Sequence, residues 1–246
     1  MMRQRIRKTI LVGSFLLFPI TMWYFSPYLI IRASSEHIVN GSFIVFAAML
    51  IFSVFFGRLW CGFLCPAGGL QECLLMCNDK PAMQGWRDKI KYVIWAIWIS
   101  AIFITFILGK NDVTINPFYM TDHGISVSSI YNYIVYYGVI LILLLPPLLH
   151  GKRASCHYIC WMAPFMVIGS VIGRLFRIPQ IHIEADRAKC VSCGKCNTGC
   201  PMGLNVQKMI AEDRHAKCTE CIQCGACVDV CHQKALKYRL AWRKNK

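Results

Sequence analysis

Four stretches of the chain are apolar for long enough to matter to a bilayer. They run from about Thr9 to Ile31, Ser42 to Phe56, Tyr92 to Leu108 and Tyr131 to Leu149. A hydrocarbon layer about 30 Å thick needs about 20 helical residues at about 1.5 Å each. The second stretch reaches that length only if Val39 and the Leu59-Trp60 end are counted with it. A fifth apolar stretch, Trp161 to Phe176, is shorter, about 22 Å as a helix. It contains Pro164, with Lys152 and Arg153 on one side and Arg174 and Arg177 on the other. Cations at both ends predict a lying or re-entrant helix there. From about Pro179 the pattern turns polar and Cys-rich, which predicts a small separate domain.

Composition agrees with this pattern. The chain has 246 residues, 56% hydrophobic and 16% charged. Soluble domains carry about 25% charged residues, so an ordinary soluble enzyme and a disordered chain are both excluded. The first apolar run has no small-x-small cleavage site after it and reads as a span, not a signal peptide. The net charge is +15, and its distribution matters more than its size. Only Arg32 and Lys110 lie in the two loops between spans one and two and spans three and four; the other Lys and Arg residues flank the opposite ends. The positive-inside rule then puts both termini in the cytoplasm of a multi-pass bacterial or archaeal inner membrane protein. The basic excess is topology, and no nucleic-acid partner is expected.

The 15 cysteines carry the chemistry. Cys190, Cys193, Cys196 and Cys200-Pro201 are spaced C-x2-C-x2-C-x3-C-P, and Cys221, Cys224, Cys227 and Cys231 repeat the spacing with His232 in place of the Pro. Three thiolates in one turn can hold three corners of an iron–sulfur cube, and the fourth is aimed at the other cube. This predicts two [4Fe–4S] clusters, one on Cys190, Cys193, Cys196 and Cys231, the other on Cys221, Cys224, Cys227 and Cys200. Zinc commonly takes two separated C-x2-C pairs and has no use for this third and fourth Cys. Disulfides are disfavoured on a cytoplasmic face. Cys218 offers a ligand register shifted by three, but the x3 gap before Cys231 favours the first register and leaves Cys218 spare.

Two further pairs follow the second and fourth spans. In Arg58-Leu-Trp-Cys61-Gly-Phe-Leu-Cys65-Pro66 and Arg153-Ala-Ser-Cys156-His-Tyr-Ile-Cys160, an Arg precedes the first Cys by three and the second Cys follows by four. The two halves therefore read as copies of one hairpin. Residues i and i+4 share a helix face, so packed hairpins would gather Cys61, Cys65, Cys156 and Cys160 at the inner membrane surface. Three readings stay open: a third metal centre or cluster, redox-active dithiols, or small buried residues at a helix junction. Cys73 and Cys77, another i, i+4 pair, read as part of a Leu- and Met-rich helix. His150 and His157, beside the second pair, read as polar interfacial residues, with His157 also weighed as a proton acceptor for quinol. No catalytic residue is identified.

Together these features predict an α-helical membrane protein. Four transmembrane helices, as two pseudo-repeated hairpins with an interfacial helix, occupy residues 1–178, and an α+β two-cluster ferredoxin-like domain occupies 179–246. The Arg-x2-Cys-x3-Cys-Pro string after span two, the second Cys-x3-Cys after span four and the C-terminal cluster motifs resemble the NapH/MauN-type membrane ferredoxin family over nearly the whole chain. Trp161 stands where the first motif has Pro66. The resemblance implies electron transfer between the membrane quinone pool and a redox partner protein, be it ferredoxin-like, a cytochrome or a reductase, with either direction of flow compatible. The alternative is a metal-handling or thiol-reducing accessory protein acting through the C-x3-C pairs.

Overall fold

The computed structural model describes residues 2–83, 85–109, 112–212 and 218–241. Lys110, Arg214, Lys217, Arg243, Lys244 and Lys246, which count toward the orientation, lie outside the described residues. The chain is mostly helical. Two helices are long and apolar enough to cross a bilayer: Trp86–Leu108, which comprises a short 3-10 turn and α7 (Ile90–Leu108), and α8 (Ile130–His150). Both show apolar side chains such as Ile97, Ile107, Ile134 and Leu141 to their surroundings. A protein folded in water rarely exposes contiguous apolar surface on this scale, which suits membrane association.

The first apolar run is not one straight helix. It divides into α1 (Met2–Leu16), α2 (Phe18–Thr21) with a 3-10 turn to Phe25, and α3 (Pro27–Ser35). The piece to Phe25 passes as a span only as a pair bent by 57°. Pro19 and Pro27 explain the breaks, since Pro lacks the amide hydrogen an uninterrupted helix needs and fits at a first turn. Ser26 caps α3 by accepting from the Leu29 amide. The second run, α4 (Gly41–Phe56), has 16 residues, about 24 Å. It is not extended by Leu59-Trp60, because Gly57 at φ 54° turns the chain before them.

The segment after α4 has a counterpart after α8. Helix α5 (Leu59–Phe63) reverses direction and leads through Cys65 to α6 (Pro66–Leu74). Helix α9 (Ala154–Tyr158) does the same and leads to α10 (Ala163–Leu175). Gly151 at φ 94° and Arg153 at φ 47° make the second reversal. Helix α6 runs antiparallel to α1: Ser14 Oγ donates to Leu64 O, Gly69 lies against Leu11 O, and Glu72 meets Arg7. Helix α10 runs parallel to α4, with Phe165 against Phe46 at 5.2 Å, Gly169 against Leu50 and Ser53, and Gly173 against Val54. A Cβ on Gly169 would sit 2.6 Å from Leu50 O, so the backbones approach this closely only because the residue is Gly. The segment expected over 161–176 as a lying or re-entrant helix forms α10, which stands alongside α4, and α6 is its unforeseen counterpart.

At the end away from the ferredoxin-like segment, α3 lies along α7 and a short parallel pair joins β1 (Ile38–Asn40) to β2 (Thr114–Asn116). At the other end β3 (Gln180–Ala185) pairs antiparallel with β4 (Leu236–Ala241). Among the described residues, three short α-helices lie between these strands, α11 (Lys195–Thr198), α12 (Val206–Ala211) and α13 (Ala226–Asp229).

Candidate functional site: three sets of four cysteines

The two C-terminal motifs have the same backbone. Ser192 and Gln223, each just before a cysteine, are left-handed at φ 54°, and Gly194 and Gly225, each just after it, are left-handed at φ 74° and 70°. A left-handed residue other than Gly costs roughly 1–2 kcal/mol, so the turn is held for a reason. It curls each motif around a void. One cavity, of about 370 Å³, is lined by Cys190, Cys193, Cys196 and Cys231. A second, tighter one is lined by Cys200, Cys221, Cys224 and Cys227. Each void therefore takes three thiols from one motif and one from the other. Cys218 lines neither of the two; it faces a small void beside Arg58 and Arg174.

Burial pushes the Cys200 thiol up to about 11 and raises Cys221, Cys224 and Cys227 as well. Buried thiols facing one another become thiolates where nearby positive charge, such as bound metal, offsets their own. The donor sets suit iron–sulfur cubes on that ground.

The third set is formed by the two reversals. Cys61, Cys65, Cys156 and Cys160 line one cavity together with Arg58, Gln71, Met49, Leu143 and Met166. The pairs do not share a helical face as expected. Cys61 and Cys156 lie within α5 and α9, whereas Cys65 and Cys160 lie past the ends of those helices. At Cys65 the reason is Pro66, which forces its predecessor into an extended conformation, φ −69° and ψ 121°. Ser155 Oγ donates to Leu143 O at 2.7 Å, and Leu143 and Met49 each precede the end of their helix by seven residues. The cavity therefore sits beside α4 and α8 about 10 Å back along their axes from their C-terminal ends.

A polar frame surrounds it. Arg58, nearly fully buried, donates to Thr219 O at 2.8 Å and to Glu220 at 3.1 Å; Lys91 meets Glu220 at 2.6 Å. Burial pushes the Glu220 carboxyl up, but Arg58 and Lys91 outweigh it and hold it below its ordinary value. Arg153, 0% exposed, donates to Cys61 O at 3.1 Å and to Glu72 at 2.7 Å, and Glu72 also binds Arg7. The Nε atoms of Arg58 and Arg153 are buried with no hydrogen-bond partner. Orphaned cationic donors beside four thiols suit a bound anionic group, as a thiolate-ligated cluster is. His157 is fully buried with Nδ1 3.1 Å from Asp88 and Nε2 2.9 Å from Met202 O, so both ring nitrogens have a partner.

The second and third sets meet through backbone. A Cβ on Gly62, next to Cys61, would lie 2.5 Å from Ile222 O and 3.5 Å from the Cys224 amide nitrogen. Gln4 at the start of α1 donates to Cys224 O at 3.0 Å, and Arg3 pairs with Asp229 at 2.6 Å. Cys73 and Cys77 are exposed, and α6 ends between them, at Leu74. Sequence reasoning missed Glu72, Glu220, Gln71 and Arg7. The available signal was Glu72 itself, a lone acid in the apolar run after Pro66.

Comparison with known proteins agrees with this geometry. A 4Fe-4S binding domain matches residues 41–83 and again 131–179, the two stretches holding the C-x3-C pairs. A 4Fe-4S dicluster domain matches residues 182–232. The chain is 24% identical to an uncharacterized protein of Methanocaldococcus jannaschii, over 80% of this chain and 78% of that one. It is 22% identical to the putative electron transport protein YccM of Escherichia coli, over 83% of this chain but 57% of YccM. It is 24% identical to the ferredoxin-type protein NapH of Haemophilus influenzae, over 83% of this chain and 71% of that one. No solved structure matches the chain.

Proposed function

We propose that the chain, which resembles NapH-like membrane ferredoxin-type proteins and matches 4Fe-4S binding domains, passes electrons between the quinone pool and a redox partner on the cytoplasmic side of the inner membrane. The observation that carries this reading is the row of three four-thiol sets, the second in backbone contact with the third at Gly62 and Ile222. Cys190, Cys193, Cys196 and Cys231 hold one [4Fe–4S] cluster, and Cys200, Cys221, Cys224 and Cys227 hold the other. Cys61, Cys65, Cys156 and Cys160 hold a third. When bound, these groups supply one-electron transfer.

The chain's residues supply the rest. Arg58 and Arg153 offset negative charge at the third set, and Glu72 and Glu220 hold the two guanidiniums in place. Met49, Leu143 and Met166 keep water away from it. Its depth puts it where a quinone headgroup dissolved in lipid can approach. Residues 1–178 form the membrane unit, with α1 to α3 as a bent first span and α4 as a short second one. Residues 179–246 form the two-cluster unit, with both termini cytoplasmic. The docking of Arg3 and Gln4 onto the second motif supports placing the N-terminus on the same side as the ferredoxin-like segment.

The rival is a metal-handling or thiol-reducing accessory protein acting through the C-x3-C pairs, and its single-ion form has less support. Among the described residues no three His, Cys, Asp or Glu side chains stand close enough to share one ion. Anaerobic iron and sulfide quantification with EPR on detergent-purified protein tests the reading. About twelve irons per chain are expected, four per cube. About eight would remove the third cluster, and zinc in place of iron would overturn the proposal.

A further inference from the structure

The first cysteine set differs from the other two in its access to solvent. Cys193 is exposed and Cys190, Cys196 and Cys231 are half-buried, whereas in the other two sets only Cys221 and Cys160 are half-buried and the remaining six thiols are buried. Val191, at the mouth of the cavity, is 63% exposed. Within the two cysteine-bearing segments that line that mouth the charges have one sign. From Arg187 to Cys200, and again from Cys231 to Arg239, the sequence contains no acidic residue. Arg187, Lys195 and Lys234 are exposed and make no ion pair among the described residues. The flanking acids are neutralised: Asp186 pairs with Lys189 at 3.2 Å and Glu212 with Lys208 at 3.9 Å.

We propose that this basic rim, centred on Val191, is the docking surface for a small, soluble, acidic one-electron carrier protein whose redox group is ringed by Asp and Glu. The inference rests on the electron-transport reading and names the partner for the solvent end of the row. An apolar centre inside a charged rim suits a transient contact, which must form fast and release fast. Opposite charge steers the encounter and raises the association rate by about 10–1,000-fold at low salt. Each encounter moves one electron: the carrier is oxidised by one, the chain is reduced by one, and no bond forms. The rim lies at the set farthest along the row from Gly62, so the carrier and a lipid-dissolved quinone do not compete for the same face.

The test uses the full chain in detergent, free of oxygen, with a reduced acidic plant-type [2Fe–2S] ferredoxin as probe in stopped flow. Arg187→Glu with Lys234→Glu reverses the rim without touching a cavity-lining side chain. Arg5→Glu with Lys89→Glu makes the same change in net charge outside the rim. The rim variant is expected to lose about tenfold in second-order rate at low salt, and to lose the wild-type fall in rate as salt is added. The control pair is expected to keep most of the rate. Equal loss in both variants, or no loss in the rim variant, overturns the docking surface. Photoreduction by deazaflavin reports on the clusters separately. If wild-type protein contains no iron or shows no EPR signal after photoreduction, the electron-transport reading itself fails.

Discussion

Gln71 Nε2 donates to Cys156 Sγ at 3.2 Å, and the Cys156 amide points back to Gln71 Oε1 at 3.4 Å. The pair joins α6 of one hairpin to α9 of the other, and Gln71 is buried. A hydrogen bond to a cluster-ligating sulfur favours the more negative, reduced state. Replacing Gln71 with Leu is therefore expected to lower the reduction potential of the third set. A bond of about 1 kcal/mol corresponds to about 40 mV for one electron. An EPR-monitored redox titration reads this directly; an unchanged potential would show that the contact does not tune the site.

The ligand register of the second motif has its own test. Cys218 lines neither ferredoxin-like cavity, while Cys221 lines the second. Cys218→Ser is expected to retain all the iron, and Cys221→Ser to lose about four irons per chain. The opposite result would shift the register by three residues.

Glu72 stands between two buried guanidiniums, Arg7 and Arg153. Glu72→Gln leaves both charges in an apolar surrounding with no anion. Breaking a buried pair in this way costs about 3–5 kcal/mol. Thermal unfolding in detergent should show a large loss of stability. A Glu72→Asp variant, which keeps the charge but shortens the reach, should recover part of it.

Gly62 is packed against backbone, not against a flexible side chain, so a larger residue there has nowhere to go. Gly62→Val is expected to push the Ile222 loop away, at a cost of about 1–3 kcal/mol. The iron content of the ferredoxin-like segment should persist while electron transfer from it to the third set slows. Flash photoreduction followed by time-resolved absorbance measures that step. Undiminished transfer would mean that electrons leave by another route.

Much of this site was legible in the chain because its signals are local. The C-x2-C-x2-C-x3-C spacing lies within eleven residues and already sorts the thiols into the two sets that line the two cavities. The repeated Arg-x2-Cys-x3-Cys string foretold that Cys61, Cys65, Cys156 and Cys160 would gather. Apolar run length identified α7 and α8 without help from packing. Helix breaks at Pro19 and Pro27 were also written in the sequence, but a hydropathy window averages over them.

Tertiary structure alone decided the depth of the third set, the pairing of Glu72 with Arg7 and Arg153, and the contact between Gly62 and Ile222. The last two depend on residues 65 to 160 positions apart, and no periodicity or motif carries information over such a span. A charge next to a cysteine reads the same in sequence whether it faces water or a second buried charge. The return of α5 and α9 alongside α4 and α8 rests on left-handed turns at Gly57, Gly151 and Arg153. Those turns become favourable only once α6 can pack on α1 and α10 on α4, because burying the returning segments offsets the strain of making them.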